Sequence, residues 1–129
     1  MTNKSIKLII AGGRNHHLSD RQFGFLDGVL DGLRAQGIDV SEVVSGGASG
    51  VDCDGESWAS KHGIPVRIFK PDWDTYGKGA GPIRNHKMAK YALPDGICIL
   101  FPGGNGTASM NGEAKVLGIK VIDRRNLQR

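Results

Sequence analysis

Short apolar runs alternate with amphipathic stretches along the chain, and glycines close almost every run. Ser5-Ile6-Lys7-Leu8-Ile9-Ile10 is stopped by Ala11-Gly12-Gly13, the pattern of a buried strand entering a tight turn. Phe23, Leu26, Leu30 and Leu33 recur at helical spacing, which predicts a helix over 20–35 capped by Ser19 or Asp20. A second strand over 40–45 is stopped by Gly46-Gly47, and a helix over 51–62 ends at Gly63, a normal helix stop. A third strand is expected over 65–69. Residues 71–82 hold Trp73, Tyr76 and three glycines and are read as irregular. A helix over 83–92, a strongly apolar strand over 97–101, a helix over 107–117 and a strand over 120–122 follow.

Strand and helix alternate, and the strands are apolar throughout rather than at every second position. A parallel sheet covered on both faces has that pattern. The expectation is an α/β fold: a single Rossmann-like three-layer sandwich with a mainly parallel sheet of about five strands. This nucleotide-binding domain is expected to occupy residues 1–123, followed by a basic C-terminal tail, 124–129.

Three strands end alike, at Gly12-Gly13-Arg14, at Ser45-Gly46-Gly47-Ala48-Ser49-Gly50 and at Pro102-Gly103-Gly104-Asn105-Gly106-Thr107. In a parallel sheet all strand C-termini share one edge, so the three turns must lie along one rim. Doubly wound folds bind ligands there. Glycine lets backbone N–H groups approach a ligand closely. Two of the turns lead into helices whose first N–H groups and dipole favour a phosphate. Ser45, Ser49, Thr107 and Ser109 add hydroxyls. Neither G-x-x-x-x-G-K-[ST] nor G-x-G-x-x-G fits these turns, so the rim is of another kind.

Composition narrows the partners. Glycine is the unusual count, 20 of 129 residues, against an ordinary share of ~7%. The net charge is +4, but Arg124, Arg125 and Arg129 fall in the last six residues, leaving 14 basic against 13 acidic residues over 1–123. Nucleic-acid binding would need clustered charge on a folded face, and aromatics are only 6%, few for a stacking platform. Both features argue against a nucleic-acid partner. No apolar stretch approaches the ~20 residues of a membrane helix, and no secretory signal is read at the N-terminus. Cys53 and Cys98 form no framework or CxxC pair, so reduced thiols in a cytoplasm are expected. The four histidines make no metal set, and neither a metal nor another cofactor is expected.

The motifs together resemble a known family. Ser45 to Asp52, Gly55-Glu56-Ser57-Trp58-Ala59, Gly63-Ile64-Pro65-Val66, Asp72-Trp73, Tyr76-Gly77-Lys78, Ala80-Gly81-Pro82-Ile83-Arg84-Asn85 with Met88-Ala89, and Phe101 to Ala108 occur in order. In this the sequence is similar to the YspA-like, cpYpsA-related branch of the SLOG superfamily, over about residues 6–122. The resemblance implies a Rossmann-like domain that binds a nucleotide or nucleotide-derived ligand such as ADP-ribose. The superfamily includes phosphoribohydrolases of the lysine decarboxylase-like family and the single-stranded-DNA-binding DprA proteins.

The hydrolase relatives use an Arg in an R-K-x-x-M stretch, which carries over to Arg84, and a Glu in P-G-G-x-G-T-x-x-E, whose position here is Met110. Methionine supplies neither a base nor a charge for the ribose cation that N-glycosidic cleavage builds. Glu113 lies three residues on and would serve only a ligand seated deeper. Asp52 and Glu56 are an i,i+4 pair on one helix face: Asp52 would hold a ribose hydroxyl, and Glu56 would act as base or orient Arg84. The alternative is dipole compensation by Asp52 and a solvated Glu56. Cys53 is read as packing. Arg14, Lys78 and Asn85 are further ligand candidates. Trp73 and Tyr76 either stack on a base or anchor their loop to the core.

Three function classes follow: a binding module for a nucleotide-derived small molecule, acting as sensor or carrier; a hydrolase of an N-glycosidic bond in a nucleoside monophosphate-like substrate; and a DprA-like binder of single strands. Charge and Met110 weigh against the last two in their simplest forms. Homo-oligomerisation stays open.

Overall fold

The computed structural model describes residues 4–126. Five strands, β1 (Lys4–Ala11), β2 (Ile38–Ser45), β3 (Val66–Ile68), β4 (Ile97–Leu100) and β5 (Lys120–Asp123), alternate with helices. These are α1 (Asp20–Ala35), α2 (Val51–Lys61), α3 (Trp73–Tyr76), α4 (Ala80–Ala92) and α5 (Asn105–Val116). All strand pairs are parallel, in the order β3-β2-β1-β4-β5. The chain builds outward from β1 to β3, then crosses back to lay β4 and β5 on the other side of β1. The strand order therefore reverses between β1 and β4, where the following connections diverge and leave a crevice.

Alternation along β1 feeds two cores. Ile6, Leu8 and Ile10 pack with Leu26 and Leu30 of α1 and Val51, Trp58 and Ala59 of α2. Ile9 and Ala11 face Met88, Ala89 and Ala92 of α4 and Met110 and Ala114 of α5. The sheet is thus covered on both sides, as its continuous apolar strands require.

Local chemistry sets the helix ends. Ser19 and Gln22 form a reciprocal capping box at α1, each side chain bonding the other's backbone N–H, at 3.1 and 2.9 Å. Residues 71–82 differ from expectation. They form α3, capped by Asp72 accepting from the Thr75 N–H at 3.1 Å, a 3₁₀ turn at Gly77–Gly79, and the first turn of α4. Pro82 did not delay that helix, because first-turn N–H groups have no helical acceptor and proline forfeits nothing there. Likewise α5 starts at Asn105, two residues early. Cys53, read as packing, is exposed, whereas Cys98 lies in the core, where burial pushes its thiol up to about 12.

At the C-terminal end, the Arg124 N–H bonds the Leu100 carbonyl at 2.8 Å. Its guanidinium stacks 4.1 Å from the centre of the Phe25 ring, and Arg125 forks onto Asp123 at 2.9 and 2.7 Å. Arg129 lies outside the described residues.

Candidate functional site

A cavity of about 600 Å³ opens at the C-terminal edge of the sheet, over the crevice between β1 and β4. Four segments wall it: Ala11 to His16 after β1, Gly46 and Ala48 after β2 with Asp52 of α2, Arg84, Asn85 and Met88 of α4, and Pro102 to Thr107 after β4 with Met110 of α5. The three glycine turns do meet on one rim, as the parallel sheet demanded.

The turns are joined to each other. The Gly13 N–H donates to the Pro102 carbonyl at 2.8 Å and the Val51 N–H to the Gly13 carbonyl at 3.2 Å. The Ser49 hydroxyl donates to the Arg14 carbonyl at 3.0 Å. Close approach explains two glycines here. A Cβ on Gly103 would collide with Thr107 Oγ1 and stand 2.7 Å from the Gly13 nitrogen. A Cβ on Gly46 would stand 2.6 Å from Arg84 Nη1 and 2.9 Å from Asp52 Oδ2. At Gly104 and Gly106 the same position meets only open space.

Both helices that follow these turns begin on glycine, Gly50 for α2 and Gly104 for α5, without a side-chain cap. At α2 the acidic Asp52 and Asp54 stand in the first turn, and Asp52 Oδ2 accepts from the Ala48 N–H of the preceding turn at 3.2 Å. At α5 no acidic side chain stands in the first turn.

Arg84 is half-buried and fixed on one edge. Its Nη1 donates to the carbonyls of Gly46 at 2.5 Å and Phe69 at 3.2 Å, and its Nε to Asn85 Oδ1 at 2.8 Å. Its Nη2 makes no hydrogen bond among the described residues. Asn85, buried, donates onward to the Gly106 carbonyl and Ser109 Oγ, both at 3.2 Å. The arginine fork and the third turn are thereby held in one frame.

The carboxylates part company. Asp52 is buried on the cavity wall, and burial pushes its pKa up to about 6, against the pull of the Ala48 N–H and the Arg84 guanidinium. Glu56 lies outside the lining and accepts from the Ser45 hydroxyl at 2.6 Å, while Ser45 Oγ accepts from the Gly47 N–H at 3.1 Å. Ser45, Gly47 and Glu56 thus form a brace behind the second turn. Glu113 does not replace the missing carboxylate, since it bonds His86 Nδ1 at 2.9 Å. Met110, 1% exposed, makes an apolar floor. Lys78 lies in the 3₁₀ turn and outside the lining. Trp73 and Tyr76 are about half exposed, so they do not anchor their segment in the core.

Asn15 and His16 join the lining without being candidates from the sequence. Their adjacency to the first turn is the available signal. Among the described residues no three His, Cys, Asp or Glu side chains gather as a metal site would require, and no helix is long and apolar enough to cross a membrane.

An all-parallel sheet with its cavity at the strand-order reversal places the chain in the Rossmann-like class. A solved structure supports this: the X-ray structure of TM1055, a structural genomics target, superposes with a TM-score of 0.62 over 90% of this chain and 72% of that one, at 20% identity. The model of the YspA, cpYpsA-related SLOG family matches residues 6–76, and the chain belongs to that family. The Gene 61 protein of Mycobacterium phage D29 is 36% identical over 88 residues, 63% of this chain and 69% of its own. Membership points to a nucleotide-related role, in binding or in processing.

Proposed function

We propose that the chain binds a nucleotide or nucleotide-derived ligand such as ADP-ribose, with a phosphate over the turn Gly103-Gly104-Asn105-Gly106 at the start of α5. One observation carries the reading: an uncapped helix N-terminus, without Cβ atoms at Gly104 and Gly106 to obstruct it, shares a cavity with Arg84, whose Nη2 makes no hydrogen bond among the described residues. N–H groups at a helix start and an arginine fork are the two protein groups best suited to a phosphate.

Titration calorimetry with ADP-ribose and AMP tests it. Gly104→Leu projects a side chain into open space, so the fold should survive while binding is lost. Unchanged affinity in that variant would place the ligand elsewhere.

A second reading, cleavage of an N-glycosidic bond, is favoured by the position of Asp52, a cavity carboxylate whose pKa burial raises to about 6. Water would add to the ribose C1′ and lose a proton to Asp52, while the base leaves with the electrons of the broken C–N bond and takes up a proton. Release of free base from AMP is the assay.

A further inference from the structure

Two aromatic rings outside the cavity lining stand unused in the segment that leads into α4. Trp73 and Tyr76 are 53% and 47% exposed, and neither belongs to the two cores. The Trp73 ring comes within 3.7 Å of the position a Cβ on Gly81 would take, so the indole rests on the first turn of α4. Gly81 precedes Arg84 and Asn85 by three and four residues, which puts all three on one helix face. Arg84 and Asn85 line the cavity. Arg84 Nη1 also ties the regions together, bonding the Gly46 carbonyl at the cavity and the Phe69 carbonyl just before α3. The exposed indole therefore rests one helical turn before Arg84 and Asn85, on the helix that walls the cavity.

We propose that Trp73 is the stacking platform for the planar base of the cavity's ligand. This rests on the nucleotide reading and adds the part of the ligand which that reading leaves unplaced. The α5 turn and Arg84 take the anionic part. The indole takes the ring, whose π-face it matches irrespective of the base's hydrogen-bonding edge. The subsite thus selects for a heterocycle over a bare sugar phosphate, with tolerance among bases.

AMP and ribose 5-phosphate differ only by the base, so the pair isolates this subsite. In calorimetry, AMP should bind the unaltered chain more tightly than ribose 5-phosphate. Trp73→Ala should weaken AMP about tenfold, as stacking losses do, and leave ribose 5-phosphate unchanged. Trp73→Phe should restore part of the difference. AMP, not ribose 5-phosphate, should also quench tryptophan fluorescence, and Trp73→Ala should abolish that quenching. Equal weakening of both ligands, or no weakening of AMP, overturns the proposal while leaving the nucleotide site standing. A change from dimer to monomer in Trp73→Ala with unaltered affinities also overturns it, assigning the ring to self-association. If neither ligand binds the unaltered chain, the nucleotide reading and the subsite fall together.

Discussion

Arg84 Nη1 donates to the carbonyl of Gly46 at 2.5 Å, across 38 residues of sequence. This contact binds the start of α4 to the turn after β2 and fixes Nη1 of the guanidinium against that turn. It exists because Gly46 has no side chain. Gly46→Ala would place a methyl group 2.6 Å from Nη1 and 2.9 Å from Asp52 Oδ2, so Arg84 must move. Ligand affinity should fall by about tenfold, as loss of a charge-assisted hydrogen bond implies. Calorimetry against ADP-ribose reads this directly. Full affinity in the variant would show that the arginine is not held where it acts.

Asp52 makes the fold sensitive to pH. Its pKa is raised from 3.8 to about 6, chiefly by burial, so the folded chain holds this proton more tightly than the unfolded chain. Its contribution to stability is full below about pH 4 and is lost as pH rises through about 6. Asp52→Asn removes the buried charge and should raise the melting temperature near pH 8, by a free energy on the order of 2–3 kcal/mol. Near pH 4 the two proteins should melt together. A gain of equal size at both pH values would contradict this account.

The same titration reaches the ligand. ADP-ribose carries a pyrophosphate diester whose charge does not change between about pH 5 and 8, so any pH dependence belongs to the protein. Affinity should rise severalfold as the pH falls through about 6 and Asp52 loses its charge, since like charges at close range repel. Asp52→Asn should flatten that profile. A profile unaltered by the substitution would remove Asp52 from the surroundings of the phosphates.

Ser45 braces the second glycine turn from behind. It donates to Glu56 and accepts from the Gly47 N–H. Ser45→Ala leaves both partners unmet and should cost about 1–3 kcal/mol of stability, measurable by urea denaturation. Glu56→Gln keeps an acceptor and should cost less. If base release from AMP is observed, Asp52→Asn should reduce it by about 10²–10⁴-fold, the usual range for a general base. Glu56→Gln should reduce it far less. The reverse ranking would return the chemistry to Glu56, where the i,i+4 spacing had first put it.

Single-stranded DNA should bind weakly and dissociate with salt. The cations expected to carry such binding are Arg124, Arg125 and Arg129. Two of them are engaged, with Phe25 and with Asp123. Phosphate contacts weaken steeply with added salt, so gel shifts should vanish at physiological ionic strength. Binding that survives there, and survives deletion of residues 124–129, would favour the DprA-like reading.

The alternation of strand and helix, the two-sided burial of the sheet and the gathering of three glycine turns on one rim were all legible in the order of residues. Each rests on local signals: apolar runs, helical spacing, and glycine where the chain must turn. Once the strands are parallel, the common edge follows without further information. Local signals also misjudged residues 71–82, where three glycines concealed a short helix and an early start to α4. Long-range contacts settled the carboxylates. Asp52 and Glu56 share one helix face, yet Ser45 at the end of β2 draws Glu56 behind the turn, while Asp52 reaches the cavity beside Gly46. Glu113 is likewise drawn away, by His86 on α4. Helix spacing says which side chains point the same way; which of them meets a ligand depends on partners supplied by distant elements, brought into range only when the sheet orders itself as β3-β2-β1-β4-β5.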